Sequence, residues 1–432
     1  MSTFTFGFAG DDIDDQDVDI DESDVAVNDG IRQLDITDKN SHGNEGGAAV
    51  LKEASYCDLD EMLSTLPSQI SYSRLAIFTP SSGPEPQSVI TIPRREVFDI
   101  RAQLMAEDDA DTNENAELIS GLEKGDLNPT VYEGGLKTWE CAIDLAKLVA
   151  AEEVSSLSLE TTREEGEDVC VIELGAGTAI PSLAILHRLL SQPAPQSPAQ
   201  RSIRFVFADY NAAVLRLVTV PNILLTWHTC RRQNQPEESQ GSTAPNSESG
   251  NNANADNTHQ ESQTAGNKED DDDLDIDQPL LTAFREDLHA RGISLSFISG
   301  AWSPTFVDLA LPNQTQSPSL APEKQPTLLI LASETIYSPS SLRPFSETLL
   351  SLLRRGSSTT PTSGTQTESK AKALIAAKKV YFGVGGGVDE WLHVMRDVAR
   401  GREGGAGDRF WVKERVDVRS EGVGRVVLEI GI

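Results

Sequence analysis

The sequence predicts an α/β fold, a mostly parallel sheet with helices on both faces. Three observations carry this. From about Leu127 onward, five short apolar runs alternate with segments of helical period, the order that parallel βαβ units require. The first run, "DVCVIELGAG", ends in glycines and leads into "AIPSLAILHRLL", which reads as a buried strand, a tight turn and a helix. The chain then closes on "RFWVKERVDVRS" and "GRVVLEIGI", two alternating strands compatible with a terminal hairpin.

Each element has its own justification. "WECAIDLAKLVAAE" places Ile143, Leu145, Ala146, Leu148 and Val149 at helical spacing. In "AIPSLAILHRLL", Pro181 is tolerable because the first helical turn needs no N–H donor. "IRFVFADYN" is a second buried strand. "AVLRLVTVPNILLTW" is helical, with an interruption expected near Pro221. "LSFISG", "TLLILASET" and "KALIAAKKVYFGVG" are three further strands, and "SLRPFSETLLSLLRR" and "DEWLHVMRDVAR" are helices between or after them. With the hairpin the total is seven strands, in one domain spanning 127–432.

Charge separates this domain from the rest. The formal net charge is −32, but residues 1–60 hold 16 Asp and Glu against 3 Lys and Arg, and residues 233–279 hold 12 against 1. The acidity therefore belongs to tails and loops. Residues 1–50, rich in Asp, Asn and Gly, are expected to be a disordered acidic tail. Residues 51–126 are too thinly apolar for a core of their own and read as an N-terminal extension packed on the main domain. Polar stretches at about 232–278, 312–326 and 356–370 read as disordered insertions. Cys57, Cys141, Cys170 and Cys230 lie far apart with no metal-ligand spacing, so no metal is expected. No apolar run is long enough to span a membrane and the N-terminus has no basic, then apolar leader. A cytosolic and nuclear monomer is the expectation, and the lack of a basic stripe argues against direct nucleic-acid binding.

Ligands of open parallel sheets bind outside the carboxyl ends of the strands. Those ends are Glu173–Gly177, Asp209–Asn211, Ser299–Trp302, Ser333–Tyr337 and the stretch from Tyr381 to Glu390. In "ELGAGTA", Gly175 and Gly177 let the backbone approach a ligand at a helix N-terminus. The turn alone suits NAD, FAD, S-adenosylmethionine or no ligand. Glu173, just ahead of the glycines, would repel a pyrophosphate and suits the cationic, phosphate-free S-adenosylmethionine. Asp209 closes the second strand, where an acid accepts from ribose hydroxyls; the plain alternative is a turn former. Gly300 and Trp302 can bracket an adenine, by close approach and stacking, and a core role for Trp302 competes evenly. Glu334 and Tyr337 of "SETIY" lie beside the expected methyl donor, where a carboxylate can orient an amine or imidazole. Ser333 and Thr335 read as turn formers within reach of a cofactor. The glycines of "VGGGV" are not a phosphate loop, since no Lys-Ser/Thr follows; they permit an unusual backbone path near a substrate.

One more stretch, "VYEGGLKTWE" (Val131–Glu140), precedes the first helix of the domain and fits neither helix nor strand period. Together with "IELGAG", "FADYN", "RLVTVPNILL", "ISGAW", "LASETIY" and "AKKVYFGVGGGV", it resembles the protein-histidine methyltransferase family, in the type that methylates a ribosomal protein of the large subunit. The resemblance covers roughly 127–432 apart from the insertions, and "PSQISYSRLAIF" and "REVFDIRAQLM" look like the leader region of fungal members. It implies a Rossmann-like seven-strand methyltransferase fold using S-adenosylmethionine. It implies cofactor contacts at Trp139, Glu140, Gly175, Ala176, Gly177, Asp209, Tyr210, Asn211, Gly300, Trp302 and Ser333 to Thr335. It also implies a basic ribosomal protein, protein three of the large subunit, as substrate, methylated on the tele nitrogen of a histidine. Ala179 departs from the glycine that many methyltransferases carry. For the catalytic role Glu334 leads, with Tyr337 beside it; Asn211 is second, and a helix cap is favoured for it. Tyr132 and Glu133 are expected to face the substrate or to pin the segment, and Lys137 to be a surface charge. Two rivals stand: a lysine methyltransferase of the same fold, since "ETIY" resembles the acidic-x-x-Tyr motif of that group, and an acidic escort for a basic ribosomal protein.

Overall fold

The structure is a computed structural model and describes residues 51–79, 89–107, 135–153, 168–193, 201–234, 272–312, 326–357, 370–382, 385–401, 409–419 and 422–432. Leu51–Ile432 forms one compact unit. Its centre is an eight-stranded sheet built from β1 (Ser55–Cys57), β4 (Val169–Leu174), β5 (Ile203–Asp209), β7 (Ile293–Ser299), β8 (Thr327–Ser333), β9 (Ala371–Lys378), β12 (Trp411–Val418) and β13 (Arg425–Gly431). The order across it is β1-β7-β5-β4-β8-β9-β13-β12. The five central strands run parallel, and β1, β13 and β12 pair antiparallel. The five alternating strands and the terminal hairpin expected from the sequence, seven strands together, are all present. The eighth, β1, comes from the N-terminal extension, which also carries α1 (Leu59–Ser64) and α2 (Val97–Glu107).

The chain leaves β4 toward β5 on one side and returns to β8 on the other. The topological switch point therefore lies between β4 and β8, the place where open α/β sheets hold their ligands.

Side chains alternate along each strand, so each face of the sheet has its own core. Val169, Val171, Phe205 and Phe207 face α3 (Glu140–Leu148), α4 (Ile180–Leu190), α6 (Val220–Asn234) and α7 (Gln278–Ala290). Cys170, Ile172, Leu174, Val206 and Ala208 face α8 (Pro304–Ala310), α9 (Pro339–Ser357) and α10 (Val388–Arg400). Asp277 and Ser303 cap α7 and α8, their side chains accepting from Leu280 N and Phe306 N.

The expected interruption at Pro221 takes a definite form. A short helix α5 (Ala212–Val214) passes into a π-helical turn, Leu215–Thr219, before α6 begins. Proline has no N–H for the carbonyl four residues back, and that carbonyl, on Leu217, instead accepts from Arg95 Nη1 at 3.0 Å. Arg95 closes β3 (Val89–Arg95), which pairs with β2 (Gln69–Phe78). The extension is therefore keyed into the domain at the point where the helix register slips.

Three insertion boundaries are corrected. The insertion read as 232–278 overlaps structured chain at both ends: α6 continues to Asn234, and residues Asp272–Asp275 form β6, which pairs with Gln69–Tyr72 of β2. The alternating "DLDI" was too short and too acidic to read as a strand. In the same way α9 runs on to Ser357, past the start of the stretch read as 356–370. The tail 1–50 and residues Tyr132, Glu133 and Gly134 lie outside the described residues. Among the described residues no helix is long and apolar enough to cross a membrane, and no group of His, Cys, Asp and Glu is arranged to hold a metal ion.

Candidate active site

The glycine turn after β4 is fixed from three directions. Gly177 N donates to Asp209 Oδ2 at 3.1 Å, so the end of β5 holds the turn directly. Thr219 Oγ1, in the π-helical turn, donates to Gly177 O at 2.7 Å, and Asn222 Nδ2 donates to Thr178 O at 3.1 Å. The helix irregularity thus serves the loop, since it turns Thr219 and Asn222 toward it. Gly175 and Gly177 both have positive φ, 70° and 50°. A Cβ on Gly175 would lie 2.8 Å from the Thr335 methyl, which packs the end of β8 against the turn.

The described part of "VYEGGLKTWE" lies on this turn. Gly135 backbone stands 3.3–3.4 Å from where a Gly177 Cβ would be, and Thr138 Oγ1 bonds Thr178 Oγ1 at 3.1 Å. Leu136 anchors the stretch in a small cluster with Ile100, Leu104 and Val214. Trp139 then caps α3, so Glu140 and Cys141 open that helix toward the carboxyl end of the sheet.

There a compact polar cluster forms. Lys378, the last residue of β9, brings Nζ to 3.3 Å from Glu140 Oε2 and 3.8 Å from Glu334 Oε1. Its ammonium also lies 5.1 Å from the Trp139 ring centroid, within cation–π range. Tyr381 Oη donates to Glu334 Oε2 at 2.6 Å and accepts from Lys378 N at 3.2 Å. Burial first, and then the charge of Glu334, pushes the Tyr381 phenol well above its ordinary value, so it remains a donor. The same two causes push the Cys141 thiol far up. Glu334 itself takes a left-handed backbone, φ 56°, fixed by its N–H on Ala376 O. Its Oε1 is buried and accepts no hydrogen bond among the described residues.

The loop after β9 closes the cluster's outer side. β10 (Val380–Tyr381) pairs with β11 (Gly386–Gly387). A Cβ on Gly386 would stand 2.2 Å from Tyr337 O, so only glycine lets this hairpin lie over Ile336–Tyr337. The Tyr337 and Tyr381 rings meet edge to face at 6.3 Å.

Several expected residues have other placements. Glu173 alternates onto the α4 face with Val169 and Val171, and its Oε2 accepts from Ser182 N. It is 1% exposed, and burial raises its pKa to about 8. It is therefore largely neutral at pH 7 and gives no repulsion against a pyrophosphate, which corrects the charge argument built on it. Asn211 Oδ1 accepts from Ala213 N, the helix cap favoured for it. The missing side chain of Gly300 makes room for Glu53 and Ala54, whose backbone would stand 2.5–2.8 Å from a Cβ, and not for a ring. Trp302 is half-buried, its ring edge-on to Phe306 and Phe345 and packed against the core on that face of the sheet. Tyr210 Oη meets Lys52 N at 3.5 Å, and Ala176 N donates to Ala208 O. Lys137 is exposed, the surface charge expected for it, and its Nζ sits 5.3 Å from the Trp139 ring. Lys378 was missed, because "KALIAAKKVYFGVG" reads as one strand and hides the strand end at Lys378; Tyr381 opens the stretch read as the fifth strand end, with no role assigned to it.

No family model matches the chain. Histidine protein methyltransferase 1 of Saccharomyces cerevisiae is 33% identical over 308 residues, covering 70% of this chain and 68% of that protein. Its namesake in Schizosaccharomyces pombe is 30% identical over 355 residues, covering 82% and 80%. The chain belongs to the histidine protein methyltransferase 1 family. The Bos taurus homolog is 27% identical over 263 residues. As a member of that family the chain is a methyltransferase with S-adenosylmethionine as methyl donor. The residues present fit the donor: a turn of two positive-φ glycines gives close backbone approach, and Asp209 stands at its side as an acceptor.

Proposed function

We propose that this methyltransferase modifies the tele nitrogen of a histidine in ribosomal protein three of the large subunit, acting as a monomer in the cytosol and nucleus. The observation that carries the histidine reading is the buried, unbonded Oε1 of Glu334 at the switch point, one residue from Thr335 and its contact with Gly175. A buried acceptor with no hydrogen bond is costly; the Lys378 ammonium, 3.8 Å away, pairs with it in charge but lies beyond hydrogen-bond reach, and an imidazole N–H would satisfy it.

The bound donor supplies an electrophilic methyl group. The rest falls to this chain. An imidazole has a pKa of about 6.5, so near pH 7 the free ring is already nucleophilic and needs no strong base. The site must choose a tautomer and align the ring. Glu334 Oε1 accepts the N–H of the pros nitrogen, which leaves the tele lone pair turned to the methyl group. The N–C bond would form as the donor's methyl–sulfur bond breaks, its electron pair leaving on sulfur as a neutral thioether; the ring then carries the positive charge, and the pros proton can leave toward the same carboxylate. Tyr381 fixes the other carboxylate oxygen through its hydroxyl. Asp209 and the glycine turn hold the donor, and Tyr337 walls the approach.

Incubation of the full chain with labelled S-adenosylmethionine and purified large-subunit ribosomal proteins, followed by residue-level mass spectrometry, tests this. One methyl group on a tele nitrogen of protein three is expected. Label on lysine, or on a different ribosomal protein alone, would sink it.

A further inference from the structure

The cluster at the ends of β8 and β9 has the make-up of a cation site. Glu140 and Glu334 offer two carboxylates, and Trp139 offers a ring face. Such a set would suit the ammonium of an incoming lysine. In this chain the position is already taken. Lys378 Nζ lies 5.1 Å from the Trp139 centroid, 3.3 Å from Glu140 Oε2 and 3.8 Å from Glu334 Oε1, with its side chain four-fifths buried. It is held from behind as well, because Lys378 N donates to Tyr381 Oη, which donates on to Glu334. A second ammonium, Lys137 Nζ, stands 5.3 Å from the same ring.

We propose that Lys378 is a specificity-determining residue: its fixed ammonium fills the cation place formed by Trp139, Glu140 and Glu334, so the site admits a neutral imidazole and turns away a side-chain ammonium. This rests on the histidine reading of the preceding subsection. Discrimination between two acceptors can come from a repulsive element as well as from attraction, and like charges brought together at a site of binding are strongly unfavourable. Lys378 supplies the repulsive element and leaves Glu334 Oε1 free of hydrogen bonds, open to a neutral N–H donor.

The test compares acceptors with one target position. Ribosomal protein three is prepared with its methylated histidine, or with lysine or glutamine in that place. Wild-type enzyme should methylate only the histidine form, and the glutamine form should compete with it at least about tenfold better than the lysine form. Lys378→Met should narrow the preference for histidine over lysine by about tenfold or more, and Lys378→Arg, which keeps the charge, should retain it. Donor affinity, measured by calorimetry on each variant, should stay within a few-fold of wild type. Equal competition by the lysine and glutamine forms overturns the proposal without any variant. So does a folded Lys378→Met enzyme with unchanged preference, or one altered in donor affinity alone, which would give the cation place to the donor. If the wild type fails to methylate histidine, the histidine reading itself fails, and that outcome is separate from these.

Discussion

Tyr381 Oη donates a 2.6 Å hydrogen bond to Glu334 Oε2, and the Glu334 backbone holds a φ of 56° to make it. A non-glycine residue in the left-handed region is uncommon and persists where its surroundings fix it. Here the fixing contacts are Glu334 N on Ala376 O and the tyrosine on the carboxylate. Glu334→Gln keeps the shape but offers an amide where the ring N–H needs a carboxylate, and turnover should fall by roughly 100-fold. Tyr381→Phe leaves the acid in place but loose, and should cost about tenfold. Single-turnover rates with histidine acceptor check both. Intact turnover in Glu334→Gln would remove the orienting role.

Asp209 spends Oδ2 on Gly177 N and Oδ1 on Asn211 N. Asp209→Ala therefore unfastens the glycine turn and takes away the acceptor beside it. Donor binding, measured by titration calorimetry, should weaken at least about tenfold, with a stability loss of about 1–3 kcal/mol.

The sheet was legible because its signal is physical at short range. Runs such as "VCVIEL" and "TLLILAS" read as buried strands because they are short and bounded by polar or glycine turns, and the glycine turn marks the edge of the first. The site was legible where it stands at those strand ends, as Asp209, Glu334 and Tyr337 do. Three kinds of residue escaped. Glu173 looked like a ligand group, since sequence gives its neighbours but not which face of β4 it joins. Gly300 signalled a close approach without saying what approaches, and the answer is the chain's own Glu53–Ala54. Lys378 was hidden because a strand that ends and reverses into a two-residue hairpin keeps an unbroken apolar pattern. The pairing of β6 with β2 was invisible for a further reason, since the two partners stand about 200 residues apart.

Gly386 is a sharp steric constraint. A methyl group at that position would overlap Tyr337 O at 2.2 Å, a backbone atom that no rotamer change can move. Gly386→Ala should lift the β10–β11 hairpin and shift Tyr381 from Glu334. Activity should fall at least about tenfold, while thermal unfolding records a loss of about 1–3 kcal/mol. An active, fully stable variant would show that the hairpin does not position Tyr381.

Arg95 is a structural prediction away from the chemistry. Its side chain is buried, paired with Asp99 at 2.6 Å and bonded to Leu217 O, the carbonyl that Pro221 leaves open. Arg95→Met strands that carbonyl and the acid together. Removing one partner of a buried pair costs about 3–5 kcal/mol, read by chemical denaturation. Because the π-helical turn carries Thr219, whose hydroxyl holds Gly177 O, donor affinity should weaken as well.

Glu173 sets a pH dependence of stability. Burial outweighs its hydrogen bond from Ser182 and raises the folded carboxyl to about 8. In the unfolded chain the same group ionises near the ordinary carboxylate value, about 4.3. Between those limits the unfolded chain holds fewer protons than the folded one, so stability is greatest below the lower value and falls as pH rises toward the upper one. The slope from this group is about 1.4 kcal/mol per pH unit within the window. Glu173→Gln should flatten it, and denaturant midpoints of wild type and variant at pH 5, 6, 7 and 8 should converge at the acidic end and separate toward pH 8. Parallel curves would mean that the carboxyl is ionised in the folded chain, and the charge argument against a pyrophosphate at the glycine turn would then stand again.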